Sequence, residues 1–342
     1  MPQDHFLKPA RCAMIGAWLA LILGVGIVFI VYNPSFLLTT KKTTTVDSPV
    51  KKSIPKKTYW SPPDTISIPQ TRDGKLILYG RELISHTSVY LGPKGKVNSM
   101  SNGMNCQNCH LKAGTLIYGN NFSAVASTYP KYRDRSGTIE SIEKRVNDCI
   151  ERSLNGRKLD EASKEMRAFV SYIKWVGKDV YKDSIPKGAG LWRLSYLERP
   201  ADMAKGKIVY QNNCERCHGQ DGGGMINENG MEWKYPPLCG ENSFTIGAGM
   251  FRLSRFAGYV KANMPSDLAT FDKPVLTDEE AWDVAAFVVS LQHPLKNISA
   301  DWPDISKKPF DHPFGPYADS YSEQQHKFGP FDFIPAVKKE GK

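Results

Sequence analysis

No run of arginine or lysine interleaved with base-stacking aromatics occurs anywhere in the 342 residues, which sets nucleic acid aside as a partner. Acidic side chains are scarce beside basic ones, 35 against 45, leaving a formal net charge of +10. Half of that excess sits in residues 1–66, which hold eight Lys/Arg against three Asp/Glu. The rest of the chain is mildly basic, a balance that suits an anionic substrate or an acidic redox partner without demanding either. Disorder is excluded by composition: 41% of residues are hydrophobic and 23% charged. The length leaves room for about two domains.

Charge is absent altogether from Ala13 to Tyr32, 20 consecutive residues that can cross a bilayer at about 1.5 Å of helix rise each. No small-x-small cleavage site closes the run, and Cys12 ahead of it lacks a lipobox-like context. The stretch therefore reads as an uncleaved anchor rather than a removed signal peptide. Lys8 and Arg11 precede it and Lys41, Lys42, Lys51 and Lys52 follow it, so the positive-inside rule does not orient it. Residues 41–66, built from Thr, Lys, Ser and Pro, read as a solvated tether.

Cysteine is sparse, and four of the seven fall in two Cys-x-x-Cys-His motifs, Cys106-Gln-Asn-Cys109-His110 and Cys214-Glu-Arg-Cys217-His218. That spacing is the signature of c-type haem attachment: two thiols add to the porphyrin vinyl groups, and the adjacent histidine becomes the proximal iron ligand. Two copies predict two covalently bound haem c groups, with iron held by His110 and His218. Haem c is attached on the outer side of the inner membrane, so the bulk of the chain is expected in the periplasm, tied to that membrane by the Ala13–Tyr32 helix.

Helical periodicity surrounds both motifs. Ile77, Gly80, Leu83 and Ile84 recur at three- and four-residue intervals before the first motif, in a segment that resembles the first helix of a small cytochrome c. A polar loop from Leu111 to Gly137 leads to a helix with Ile139, Ile142, Val146 and Ile150 as its apolar stripe and Asn155-Gly156 as its stop. A further helix is expected from about Leu159 to Val176, burying Met166, Phe169, Val170 and Ile173. The second half repeats the plan. A helix over Ala201–Gln211 precedes its motif, a glycine-rich loop runs to Gly249, and a helix with Phe256 and Val260 ends at Asn263-Met264-Pro265. Thr277-Asp-Glu-Glu280 then forms a capping box that opens a last helix to Leu291, with Ala281, Val284, Ala285 and Val288 inward. The expected fold is all-α: two class I cytochrome c-like domains in tandem, 67–190 and 191–296. An anchor (1–40) and the tether (41–66) precede them, and a Pro- and aromatic-rich strap (297–342) wraps them as an extended segment.

Superposing the halves isolates one cysteine. His110 to Cys149 is 39 residues and His218 to Met264 is 46; Cys149 to Phe169 is 20 and Met264 to Phe287 is 23. Met264 stands where a small cytochrome c carries its distal ligand, with Met225, Met231 and Met250 as rivals, and Cys149 stands in the matching place of the first half. A distal thiolate would stabilise ferric iron and remain a nucleophile if released, so haem 1 is the candidate for chemistry and haem 2 for electron transfer. Two alternatives stay open for Cys149: a free thiol without function, or a disulfide to Cys239. Arg145, Cys149 and Ser153 are four apart and share one helical face. Arg135 and Arg145 read either as a clamp for a sulfonate-like anion or as partners of haem propionates or of Asp134 and Asp148; Ser153 reads as a hydrogen-bond donor to that anion or as an ordinary helix serine.

These segments resemble the periplasmic di-haem thiosulfate dehydrogenases over about residues 67–335. The likeness is carried by Asn105-Cys-Gln-Asn-Cys-His-Leu111, Asn147-Asp-Cys-Ile-Glu-Arg-Ser-Leu-Asn-Gly156, Gly247-Ala-Gly-Met250, Asn263-Met-Pro265 and Asp311-His-Pro-Phe-Gly-Pro-Tyr-Ala-Asp319. The resemblance implies coupling of two thiosulfates to tetrathionate, in some members run in reverse, with electrons passed to an external cytochrome or a membrane electron-transport component. It implies Cys149 as the distal haem 1 ligand, and Arg135, Arg145 and Ser153 lining the substrate pocket. Two departures stand out: Asn263 where some members carry a lysine that allows a ligand switch, and Cys239 where a tryptophan is expected. The readings outside this family are a membrane-anchored di-haem electron carrier and, less well supported, a di-haem peroxidase.

Overall fold

The computed structural model describes residues 58–334; the Ala13–Tyr32 anchor and residues 41–57 of the tether lie outside them. Within the described end of the expected tether, Tyr59 and Trp60 dock on the first half, while residues 61–66 are mostly exposed. Trp60 donates its backbone N–H to the Lys187 carbonyl at 3.0 Å and packs on the first core, and Tyr59 meets Tyr118 edge to face and Phe271 at a tilt. Two adjacent aromatics bury enough apolar surface to pin an otherwise polar segment.

Six helices carry the architecture, in two sets of three. In the first half, α1 (Arg72–Ser85), α2 (Ile142–Arg152) and α3 (Lys164–Val176) enclose a core of Leu83, Ile84, Ile150, Met166, Phe169 and Tyr172. In the second, α4 (Met203–Asn213), α5 (Leu253–Asn263) and α6 (Asp278–Ser290) enclose Tyr210, Phe256, Trp282, Val284 and Val288. The halves obey one packing rule. A Cβ placed on Gly80 of α1 would lie 2.0 Å from the Ala168 carbonyl oxygen of α3, and one on Gly206 of α4 would lie 1.9 Å from that of Asp283 of α6. Each glycine lets two helix backbones touch where they cross. Gly80→Ala or Gly206→Ala should therefore cost roughly 2–3 kcal/mol, because backbone rather than a yielding side chain is in the way; thermal melting followed by far-ultraviolet dichroism checks this against an exposed Gly249→Ala control, where an added Cβ meets nothing within 4 Å.

Several expected boundaries shift for local reasons. Ile139 belongs not to the Cys149 helix but to a strand, Thr138–Glu140, and is 73% exposed. The Ser141 hydroxyl accepts the Lys144 N–H at 3.1 Å and starts α2 after it. That helix ends at Arg152 with Ser153 as its cap, ahead of the expected Asn155-Gly156 stop. Residues 159–163 are not helical, because the Asn147 side chain bonds both the N–H and the carbonyl of Leu159, and Ser163 caps α3. The capping box at Thr277 and Glu280 forms as expected.

The all-α expectation needs one amendment. Three two-stranded antiparallel ribbons sit in the long loops: Gly119–Asn121 with Gly190–Leu191, Lys131–Arg133 with Thr138–Glu140, and Met225–Ile226 with Trp233–Tyr235. The C-terminal segment is also less extended than expected, with a short helix, α7 (Glu323–Phe328). Its Phe310, Phe328, Phe331 and Ile334 are buried in the second core, while Asp301 and Trp302 reach Arg152 and Arg135 of the first half. Among the described residues, no helix is long and apolar enough to cross a membrane.

Candidate functional site

Each Cys-x-x-Cys-His motif opens onto its own cavity. The first, about 260 Å³, is lined by Cys106, Cys109 and His110 and by residues of α2; the second, about 440 Å³, is lined by Cys214, Cys217, His218 and Met264. Both fit a haem. Their walls are mostly aliphatic and aromatic, with Ile84, Phe122, Phe169 and Ile173 in the first and Phe244, Phe256, Val284 and Val288 in the second. The His110 Nδ1 lies 2.6 Å from the Asn120 carbonyl oxygen, and the His218 Nδ1 lies 2.8 Å from that of Pro236. An Nδ1–H donated to a carbonyl leaves Nε2 as a lone-pair ligand, the tautomer that metal-binding histidines use. Burial holds both imidazoles neutral, drawing His110 down to about 4 and lowering His218.

All six described cysteines are free, so the alternative disulfide between Cys149 and Cys239 is not formed. Cys239 sits half-buried and its Sγ–H donates to the Asp221 carbonyl oxygen at 3.0 Å. Cys149 instead lines the first cavity, as do Arg135, Arg145 and Ser153. Arg145 and Cys149 come from one helical face, as the four-residue spacing requires, and Ser153 joins as the α2 cap, its N–H bonded to the Cys149 carbonyl at 2.8 Å.

The two arginines do not take the carboxylates suggested by sequence proximity. Asp148 is claimed by Lys144 one turn earlier, at 2.5 Å, and Arg135 faces Asp301 at 3.8 Å rather than Asp134. Arg145 makes no ion pair with a carboxylate among the described residues; its guanidinium is pushed above its ordinary range chiefly by the negative charge of Cys149. Arg135 is drawn down to about 10 by burial and by the neighbouring Arg152. The result is a half-buried thiol with two cations on the same cavity wall, a place for a small dianion.

The structure also brings in residues that sequence reasoning missed. Arg133, Arg252 and Trp302 line the same cavity. Arg252 is held by the fully buried Asp311, at 2.7 Å from its Nε, and Asp311 also accepts from the Ser254 hydroxyl. Asp311 belongs to the Asp311–Asp319 motif of the C-terminal segment, but its partner lies 59 residues away, beyond the reach of local spacing.

Among the methionines, Met264 faces the His218 cavity and Met250 lies on the wall shared by both cavities, together with Cys109 and Asn105; Met225 and Met231 line neither. Asn263 is committed elsewhere, donating from Nδ2 to the Tyr118 carbonyl at 3.1 Å and the Tyr259 carbonyl at 2.9 Å. The halves are joined beside the first motif. Glu232 of the second half meets His86 at 2.9 Å and accepts from Asn105 at 3.0 Å, and the Tyr259 hydroxyl donates to the Asn108 carbonyl at 2.7 Å.

Comparison with known proteins follows the same division. Residues 96–180 match the SoxA/TsdA cytochrome c domain, and residues 201–288 match the family described as cytochrome C oxidase, cbb3-type, subunit III. A thiosulfate dehydrogenase of Psychrobacter arcticus is 35% identical over 71% of this chain and 71% of its own length. One of Allochromatium vinosum is 36% identical over 68% of this chain and 84% of its own. The solved thiosulfate dehydrogenase (TsdBA) of Marichromatium purpuratum aligns with a TM-score of 0.62 and 29% identity, covering 68% of this chain and 49% of that one, so the chain spans about half the length of that structure. With two cytochrome c domains, a covalent haem c in each, and these relatives, the chain belongs to the thiosulfate dehydrogenase family.

Proposed function

We propose that this protein interconverts two thiosulfates and tetrathionate at its first haem and exchanges electrons through its second with an external cytochrome or a membrane electron-transport component. The observation that carries the reading is Cys149: a thiol lining the same cavity as Cys106, Cys109 and His110, with Arg145 and Arg135 on its wall. Cys106, Cys109 and His110 would hold haem 1 with Cys149 as its distal ligand, and Cys214, Cys217, His218 and Met264 would hold haem 2. The first haem domain spans 67–190 and the second 191–296, anchored on the periplasmic side of the inner membrane by residues 1–40.

When bound, each haem supplies a one-electron acceptor, so the pair takes the two electrons that forming one sulfur–sulfur bond releases. The protein's part is to make and break that bond at Cys149. Arg145 and Arg135 hold the sulfonate end of one thiosulfate, which leaves its outer sulfur at the thiolate. Cys149 and the outer sulfur join, with loss of two electrons. A second thiosulfate then attacks the Cys149-bound sulfur, and Cys149 departs as thiolate as tetrathionate forms. This exchange is redox-neutral, a thiol–disulfide exchange with a sulfonate in place of one alkyl group. Burial keeps water from intercepting the adduct, and Ser153 donates to a sulfonate oxygen. Run backwards, the same steps reduce tetrathionate.

Anaerobic mixing tests the reading. The oxidised protein should be reduced by thiosulfate and the reduced protein oxidised by tetrathionate, both followed by haem absorbance; a protein that responds to neither is an electron carrier, and the reading fails. Met264→Leu should keep both haems attached, lower the haem 2 potential through loss of the thioether, and slow turnover with an external acceptor about tenfold. Met250→Leu should leave that potential unchanged; potentiometric titration distinguishes the two.

A further inference from the structure

Trp302 has a left-handed backbone, with φ of +62°, although it is among the bulkiest residues and is flanked by no glycine. Such a conformation persists only where its surroundings fix it, and it marks places where something has to be aimed. What fixes Trp302 is Arg135. The Trp302 N–H donates to the Arg135 carbonyl at 2.8 Å, and its ring lies 5.5 Å from the centre of the Arg135 guanidinium. The preceding Asp301 faces the Nε of the same guanidinium at 3.8 Å and makes a two-pronged ion pair with Arg152, at 2.7 and 2.8 Å. Arg135 spends one further N–H on the Gly247 carbonyl at 3.1 Å. Among the described residues, Nη2 and the second hydrogen of Nη1 have no hydrogen-bond partner.

We propose that Asp301 and Trp302 are positioning residues for the anion site: from the C-terminal segment they clamp the Arg135 guanidinium so that its free N–H groups meet the sulfonate oxygens of the substrate. The inference rests on the proposed thiosulfate–tetrathionate reading of the first cavity. Three facts support it. Asp301 is the carboxylate among cations that would otherwise repel Arg135, with Arg152 the most strongly felt of them. Trp302 lines the cavity itself. Its indole N–H is buried and bonds to nothing among the described residues, the state expected of a donor whose acceptor is the ligand. The C-terminal segment is thus part of the site and not only a strap, and an arginine from one end of the chain is aimed by a carboxylate from the other.

The test is equilibrium binding of tetrathionate to the oxidised, haem-loaded full chain, where no electrons are present for turnover, measured by titration calorimetry. Asp301→Asn should weaken the dissociation constant about tenfold and raise the thiosulfate KM by the same factor while kcat falls less than threefold; Asp301→Glu should recover most of both. Trp302→Phe should weaken binding about threefold. Arg152→Gln breaks the other half of the Asp301 contact, so it should lower the melting temperature yet leave the dissociation constant within twofold. If Arg152→Gln and Asp301→Asn weaken binding equally, the contact merely docks the segment and the proposal is wrong. If the unaltered protein does not bind tetrathionate at all, the reading of the cavity fails instead, a distinguishable result.

Discussion

Cys149→Gly should abolish both tetrathionate formation and tetrathionate reduction, by at least about a thousandfold in kcat, while mass spectrometry still finds two haems attached. The magnitude follows from what is removed: without the sulfur there is no nucleophile to hold half of the product, and the residual rate is that of two dianions meeting unaided. Haem attachment survives because the thioether bonds belong to Cys106, Cys109, Cys214 and Cys217. Cys149→Met sharpens the point. It gives the first cavity the thioether that Met264 offers the second, so the haem 1 potential should rise and electron transfer with an external cytochrome should persist, with no sulfur–sulfur chemistry. Turnover near the original rate in either variant would sink the covalent mechanism and return the protein to the electron-carrier reading.

Much of this was legible in the chain, and what was not had physical reasons. The motifs at Cys106 and Cys214, the two three-helix sets and the capping box at Thr277 are local patterns, fixed by residues a few positions apart. Cys149, Arg145 and Ser153 were legible for the same reason, since one helical face brings them together. The misreadings were also local. Ile139 keeps the helical spacing with Ile142 and Val146, but the Ser141 cap outranks the period and sends Ile139 into a ribbon. Asp148 is a natural-looking partner for Arg145, but Lys144 is a turn away on its own side and takes it. The remainder of the site depends on contacts across the chain that no spacing announces. Arg252 enters from the second half, and Asp301 reaches Arg152 across 149 residues. The Cys149–Cys239 alternative failed for the same cause: cysteines can be counted in a sequence, but not the fold that keeps them apart.

Arg145→Gln should lower kcat/KM by about a hundredfold or more, the second largest effect expected. Arg145 lies one turn from Cys149 on the cavity wall, partly buried, and no carboxylate among the described residues forms an ion pair with it. A partly desolvated cation without a paired carboxylate is costly to keep unless a thiolate and a substrate dianion supply the balancing charge. Removing it takes away a charge-assisted contact to the sulfonate and the cation that steadies the thiolate leaving group, each of the order of 2 kcal/mol. Arg145→Lys should restore less than a tenth of the activity, because an ammonium offers a point charge where the sulfonate oxygens need a fork. The sign of a second readout is fixed by electrostatics: taking a positive charge from beside haem 1 favours the more positive ferric state, so the haem 1 potential should fall in Arg145→Gln and be recovered by Arg145→Lys. Arg135→Gln offers the complementary test. Both cations meet one anion, so the losses in the double variant should sum to less than the two single losses added. A strictly additive cycle would mean that the arginines serve separate groups, and a haem propionate would then be the partner of one of them.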